Sequence, residues 1–168
     1  DCADIAGAKP MMLALLLAVA TEAAPAQTMN KATTIPSPDA DKAAAIASVH
    51  AALAGISARD KRAVLAQMRP VGTATAVMEK ADGTVTIRNA DWNAYAGSDP
   101  GPERYEERMP DPKVEIEGAM ATVSGRYTFS IDGKLRHCGF QRFDLVRDEG
   151  RWKIQNVTWS VRTWGCES

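Results

Sequence analysis

Apolar and polar positions follow two different rhythms along the chain. In the last third, Gly125 to Cys166, apolar residues alternate with polar ones at a period of two, the pattern of strands with one buried face. Asp132-Gly133 and Glu149-Gly150 break it, and glycine there supplies the positive φ of a two-residue hairpin. Three long antiparallel strands joined by two tight turns are predicted. Residues 39–97 carry a helical period instead. Asp39 or Asp41 can cap a helix running to about Ser57, with Ile46, Val49, His50, Leu53 and Ile56 on one face. Asp60 is placed to cap a second helix, Lys61 to Met68, which Pro70 ends. Gly72 to Met78 and Thr84 to Ile87 flank an Asp82-Gly83 hairpin signal. Asn89 can cap a third short helix, Ala90 to Ala96, carrying Trp92 and Tyr95. The loop from Gly97 to Pro102 is a candidate lid.

Opposed residues of an antiparallel pair share a face, so the hairpins can be tested against the apolar pattern. A turn at Asp132-Gly133 sets Phe129 opposite Arg136, Tyr127 opposite Cys138 and Gly125 opposite Phe140. Phe143 and Leu145 then fall out of phase, and a β-bulge at Gln141-Arg142 brings them to Val123 and Ala121. A second bulge at Gln155-Asn156 reconciles Ile154, opposite Leu145, with Val157 and Trp159. Trp159 then faces Phe140, and Val161 faces Cys138. Upstream, a Glu117-Gly118 turn pairs Ile116 with Ala119 and Val114 with Ala121. Tyr105, Glu107 and Met109 reach the inner face, with Glu107 near Tyr127. Bulges at matching depth in neighbouring strands bend a sheet. The expectation is an α+β fold: a cone-shaped, curved antiparallel sheet packed on three N-terminal helices.

Composition narrows the class. The chain has 168 residues, a net charge of −1 and a hydrophobic fraction of 45%. That suits one globular domain and offers no basic field for nucleic acid. The three cysteines show no metal-ligand spacing, so no metal is expected, and no cofactor is implied. Residues 11–20, MMLALLLAVA, are too few for a stable membrane span. With Lys9 before them and Ala24-x-Ala26 after, they form a signal-peptide pattern. Residues 1–26 are therefore expected to be a signal peptide with upstream residues, 27–38 a linker and 39–168 the folded domain. A periplasmic or secreted location follows.

The motifs in order are Glu103-Arg104-Tyr105-Glu106-Glu107-Arg108, Asp111-Pro112, Tyr127-Thr128-Phe129, Asp132-Gly133-Lys134, His137-Cys138-Gly139, Phe143 to Arg147 and Gly150 to Ile154. Together they resemble the nuclear-transport-factor-2-like superfamily, cystatin-like in fold, and within it a bacterial SnoaL-like or lumazine-binding subgroup. The resemblance spans roughly residues 40–166. It implies a ligand pocket inside the cone and a homodimer through the outer sheet face. It does not choose among isomerases, cyclases, dehydratases, binders and assembly modules.

Glu107, on the inner face beside Tyr127, has the setting of a general base, with Tyr127 or Tyr95 polarising a carbonyl. The simpler alternative is a buried Glu neutralised by Arg136 or Arg108. His50, on the apolar face of the first helix, is a candidate catalyst or a pocket-edge residue. His137 falls with Arg126, Ser130 and Arg162 on the outer, polar face, as a dimer contact. Trp92, Tyr95, Trp159, Phe129 and Arg136 are candidate ligand contacts, the short helix standing over the cone mouth. For Phe129 and Phe140 plain core is the favoured reading. Cys138 and Cys166 are a candidate disulfide: export permits it, and the tail must curl back at Gly165 to make it. Two functions stay open. One is an exported small-molecule-binding domain for a small hydrophobic or aromatic ligand. The other is a cofactor-free isomerase, cyclase or dehydratase. A filled cone would point instead to a structural or interaction domain.

Overall fold

The computed structural model describes residues 37–97 and 101–166. The expected leader and residues 27–36 of the linker lie outside the described residues, as do residues 98–100 of the candidate lid. Ten elements follow: α1 (Pro38–Ala58), α2 (Lys61–Leu65), β1 (Met68–Glu79), β2 (Val85–Ala90), α3 (Trp92–Tyr95), β3 (Tyr105–Arg108), β4 (Lys113–Glu117), β5 (Met120–Ile131), β6 (Lys134–Asp148) and β7 (Arg151–Val161).

Ser37, at the end of the expected linker, is the N-cap of α1, accepting from the Ala40 N–H at 3.3 Å. Pro38 follows in the first turn, where its missing N–H costs nothing. Asp41 is therefore free for tertiary work. It takes the Trp152 indole N–H at 2.8 Å and pairs with Arg147 at 2.5 Å, and Ser48 Oγ donates to the Trp152 carbonyl at 3.0 Å. These bonds fix α1 to the β6–β7 hairpin and set which way it faces. Its buried stripe is Asp41, Ala45, Ser48, Val49, Ala52 and Leu53. Val49 and Leu53 of the expected face are buried, but Ile46 is half-buried and His50 exposed. The small Ala45 and Ala52 beside Val49 and Leu53 let the helix lie close to the sheet.

Asp60 caps α2 as expected, but the helix ends at Leu65. Met68 and Pro70 already belong to β1, where Pro70 is exposed. The cap of α3 is Asp91, accepting from the Ala94 N–H at 2.8 Å. Asn89, expected there, sits in β2 and accepts from Thr75 Oγ1 at 3.0 Å.

The sheet runs β2-β1-β7-β6-β5-β3, with β4 also on β5. All pairings are antiparallel except β1–β7, which is parallel. β3 pairs with Thr128–Ile131 and β4 with Met120–Ser124. Residues 109–112 bridge the gap between them, and Met109 packs over Gly125, where a Cβ would come within 2.9 Å of its Cγ. The core lies between α1 and the inner face, around Val49, Leu53, Val123, Tyr127, Phe143, Leu145, Ile154 and Val157.

Both long hairpins have the two-residue turns expected, and the β6–β7 bulge falls at Gln155. Phe143 meets Val123, Leu145 meets Ala121 and Ile154 meets Leu145, also as expected. The other bulge is misplaced. It lies at Arg136, directly after the Asp132-Gly133 turn, because Ser130 pairs with Leu135 but Phe129 with His137. Every residue from 137 to 142 therefore faces the side opposite to that expected. Tyr127 meets Gly139, Gly125 meets Gln141, and Cys138 meets Thr128. Trp159 faces Gln141, not Phe140, and Cys138 bridges to Arg162, not Val161. Phe140 lies outside, 50% exposed. The β4–β5 turn is also shifted, to Gly118-Ala119, so Ile116 meets Ala121 and Val114 meets Val123.

Candidate site: a buried carboxyl under an aromatic cover

Glu107 is held by two elements. Its backbone lies opposite Phe129 in β5, and its N–H donates to Ser57 Oγ of α1 at 2.9 Å. Its carboxylate accepts from the Gln141 side-chain amide. The arginines expected to neutralise it are elsewhere. Arg108 pairs with Glu106 at 2.5 Å, and Arg136 is exposed in the bulge. Burial, only partly offset by the Gln141 hydrogen bond, therefore lifts the Glu107 pKa to about 7, since desolvation penalises the charged form.

Gln141 is the residue the sequence reading missed. It is 2% exposed and stands across the sheet between Gly125 and Trp159. Its Nε2 is committed to Glu107, and its Oε1 is buried without a hydrogen-bond partner.

α3 lowers two rings over this centre. Tyr95 packs edge-on against Trp159 at 5.4 Å and against Trp92 at 6.0 Å. Its hydroxyl is buried and also lacks a partner. Burial first, then the charges of Glu107 and Tyr127, push its pKa well up, so the group stays a neutral donor. Trp92 is buried against Gly72, where a Cβ would fall 2.3 Å from the indole and 2.1 Å from the Gln155 carbonyl.

Tyr127 is near Glu107, whose charge, after burial, raises its pKa. Its hydroxyl is already occupied. It donates to the Ser160 carbonyl at 2.9 Å and meets His137 Nδ1 at 3.1 Å. With the hydroxyl proton so used, His137 must donate from Nδ1. Burial lowers the His137 pKa, which favours that neutral ring. His137 also stacks on Phe129, centroids 4.9 Å apart. The outward placement expected for His137 is thus corrected. The His137-Cys138-Gly139 motif has a structural explanation: Gly139 makes room for Ser160, whose carbonyl oxygen would lie 2.0 Å from a Cβ.

The remaining candidates scatter. Phe129 contacts Tyr105 and His137, a cluster separate from Trp92, Tyr95 and Trp159. His50 Nε2 lies 3.3 Å from the Met109 carbonyl. It borders an open cleft of about 670 Å³ between α1 and β3, which Ser57, Tyr105 and Glu107 also line. Cys138 and Cys166 are bonded, Cα atoms 5.5 Å apart, the tail turning at Gly165 with φ 59°.

No family model matches the chain, and no curated protein matches it. Solved structures do. A cystatin-like protein of unknown function from Nostoc punctiforme superposes with a TM-score of 0.56 at 13% identity, covering 77% of this chain and 97% of its own. A protein from Streptomyces avermitilis, provisionally described as a dehydratase of the nuclear-transport-factor-2-like family, gives 0.55 at 15% identity, covering 75% and 99%. The β subunit of an enzyme from Novosphingobium aromaticivorans, provisionally described as an aromatic-ring-hydroxylating dioxygenase, gives 0.58 at 8% identity, covering 74% and 91%. With a curved sheet wrapped on α1 and a short helix over its inner face, this chain has the nuclear-transport-factor-2-like, cystatin-like fold.

Proposed function

We propose that the domain binds a small, flat, apolar or aromatic molecule inside the cone, beneath α3, and works after export. One observation carries the reading. Two buried polar atoms, Tyr95 Oη and Gln141 Oε1, lack protein partners beside the Glu107 carboxyl. An unmade buried hydrogen bond costs on the order of 1–3 kcal/mol, so a ligand that satisfies both recovers that loss. Trp92, Tyr95 and Trp159 supply flat apolar surface around them. Export is supported by the 11–20 apolar run with its Ala24-x-Ala26 site, and by the Cys138–Cys166 bond, a type that persists in oxidising compartments. A homodimer through the outer face, where Ile87 and Phe140 are exposed, belongs to the same reading.

The test is a thermal-shift screen of aromatic and polycyclic compounds. A binder should raise the midpoint in proportion to its saturation, and Trp159→Ala should abolish the rise. No stabilisation by any pocket-sized compound sinks the reading.

A second reading, proton transfer next to a carbonyl, is favoured by a Glu107 pKa of about 7, matched to a general base. Tyr95 and not Tyr127 would then be the acid, because the Tyr127 hydroxyl is occupied. Any ketone found in the screen decides between the two. Exchange of its α-protons into D₂O that Glu107→Gln abolishes supports catalysis; equal exchange in both proteins rejects it.

A further inference from the structure

Glu107 has a second side. Gln141 holds its carboxylate from β6, but the residue is only half-buried. It lines the open cleft of about 670 Å³ between α1 and β3. The walls of that cleft are largely apolar, from Leu53, Ala54 and Ala58 on α1 and Met109 after β3. The neighbouring cations have acids of their own. Arg59 pairs with Glu103 at 3.0 Å and Arg108 with Glu106 at 2.5 Å. Among the described residues no ion pair includes Glu107. A carboxylate poorly served by solvent gains most from a counter-cation held against it. We propose that the α1–β3 cleft binds organic monocations, primary amines on a compact apolar body, with the ammonium on the Glu107 carboxylate and the body against Leu53 and Met109. The cleft is distinct from the space beneath α3, so this does not rest on the binding reading above.

Charge selects among molecules of one shape. An anion would face the Glu107 charge. A neutral alcohol donates one hydrogen bond and brings no charge. An ammonium brings three donors and the opposite charge, and charge-assisted hydrogen bonds are roughly twice as strong as neutral ones. The carboxylate and not the acid is the binding form. Affinity for the amine therefore rises with pH through the Glu107 value of about 7 and levels off above it. Several other groups that can carry charge stand around Glu107. His50 and Arg59 come from α1, and Glu106 and Arg108 flank it on β3. Tyr127 comes from β5 and Tyr95 from α3. His137 of β6 stacks on Phe129, which opposes Glu107. His50 lines the cleft itself, so its part in any pH dependence has to be separated.

The probes are cyclohexylmethylamine and cyclohexylmethanol, titrated calorimetrically at pH 8 and pH 5.5. Neither is flat or aromatic, so neither suits the space beneath α3. At pH 8 the amine should bind at least about tenfold more tightly than the alcohol. At pH 5.5 the two should come within about threefold of each other. At pH 7 about half of Glu107 holds its proton, so amine binding should release about half a proton, read from the dependence of the heat on buffer ionisation. Glu107→Gln should erase both the preference and the release. Equal binding of the two probes at pH 8, or a preference that survives Glu107→Gln, overturns the proposal and leaves the aromatic reading standing. No binding of the amine up to about 10 mM overturns it as well. The pH series is repeated in His50→Gln, where a slope that disappears belongs to the imidazole and overturns the assignment to Glu107. Should Glu107→Gln fail to fold by circular dichroism, proton release by the wild-type protein decides, and its absence overturns the proposal.

Discussion

Glu107 holds its proton to higher pH in the folded chain than in the unfolded one, about 7 against an ordinary 4.5. Between those values the native state binds more protons, so stability falls as pH rises through the window and stays lower above it. The burial of this charge costs about 3 kcal/mol above pH 7. Glu107→Gln should therefore stabilise the protein at pH 8 by about 1–3 kcal/mol and change little near pH 4.5. Urea denaturation at both pH values checks this, and a loss of stability at pH 8 would show the carboxylate to be needed for folding. The pKa of His137 is lowered, so its sign is opposite: stability is lost as pH falls below its unfolded value near 6.5. That slope should emerge in the Gln variant once the Glu107 slope is gone. The inward side chain of Glu107 was legible in the alternation of β3. Its partner was not: Gln141 is a polar residue on an inner face, which only a correctly placed bulge reveals.

The reason lies in the β5–β6 hairpin. A bulge at Arg136 and one at Gln141-Arg142 give the same register for Phe143 with Val123 and Leu145 with Ala121. Those apolar pairs lie beyond both positions, so matching them cannot tell the two apart. Only residues 137–142 change face, and they include His137, Phe140 and Gln141. The β6–β7 bulge was legible because Ile154 and Val157 bracket it closely. In α1, bonds from Asp41 and Ser48 to the β7 hairpin outweighed hydrophobic periodicity in choosing the buried stripe. At α3 the decisive contact is with Gly72. Gly72→Ala would press a methyl group into both Trp92 and the Gln155 carbonyl, at a cost of about 2–4 kcal/mol. The expected result is a lower denaturation midpoint with a reduced near-ultraviolet tryptophan signal. An unchanged signal would mean that α3 is not anchored there.

Across the whole molecule, the order of elements, the curved sheet and the covering helix were readable from periodicity and turns. The parallel β1–β7 pairing was not, because nothing local marks a contact between residues some 80 positions apart. The Cys138–Cys166 bond closes a separation of 28 residues, which by chain entropy stabilises the fold by about 3–4 kcal/mol. Cys166→Ala should lower stability by that order in oxidising buffer and by almost nothing in reducing buffer. Equal effects in both would show that the tail contributes through packing and not through the bond. The position of β7 has a consequence for the order of events. Among the described strands it comes last in sequence, yet it lies inside the sheet, between β1 and β6. Until β7 is in place, the β1–β2 hairpin has no sheet to join, and α1 lacks the Trp152 side of the hairpin that it docks on. Closure of the sheet therefore waits on β7, which must seat between two strands and not add to a single edge.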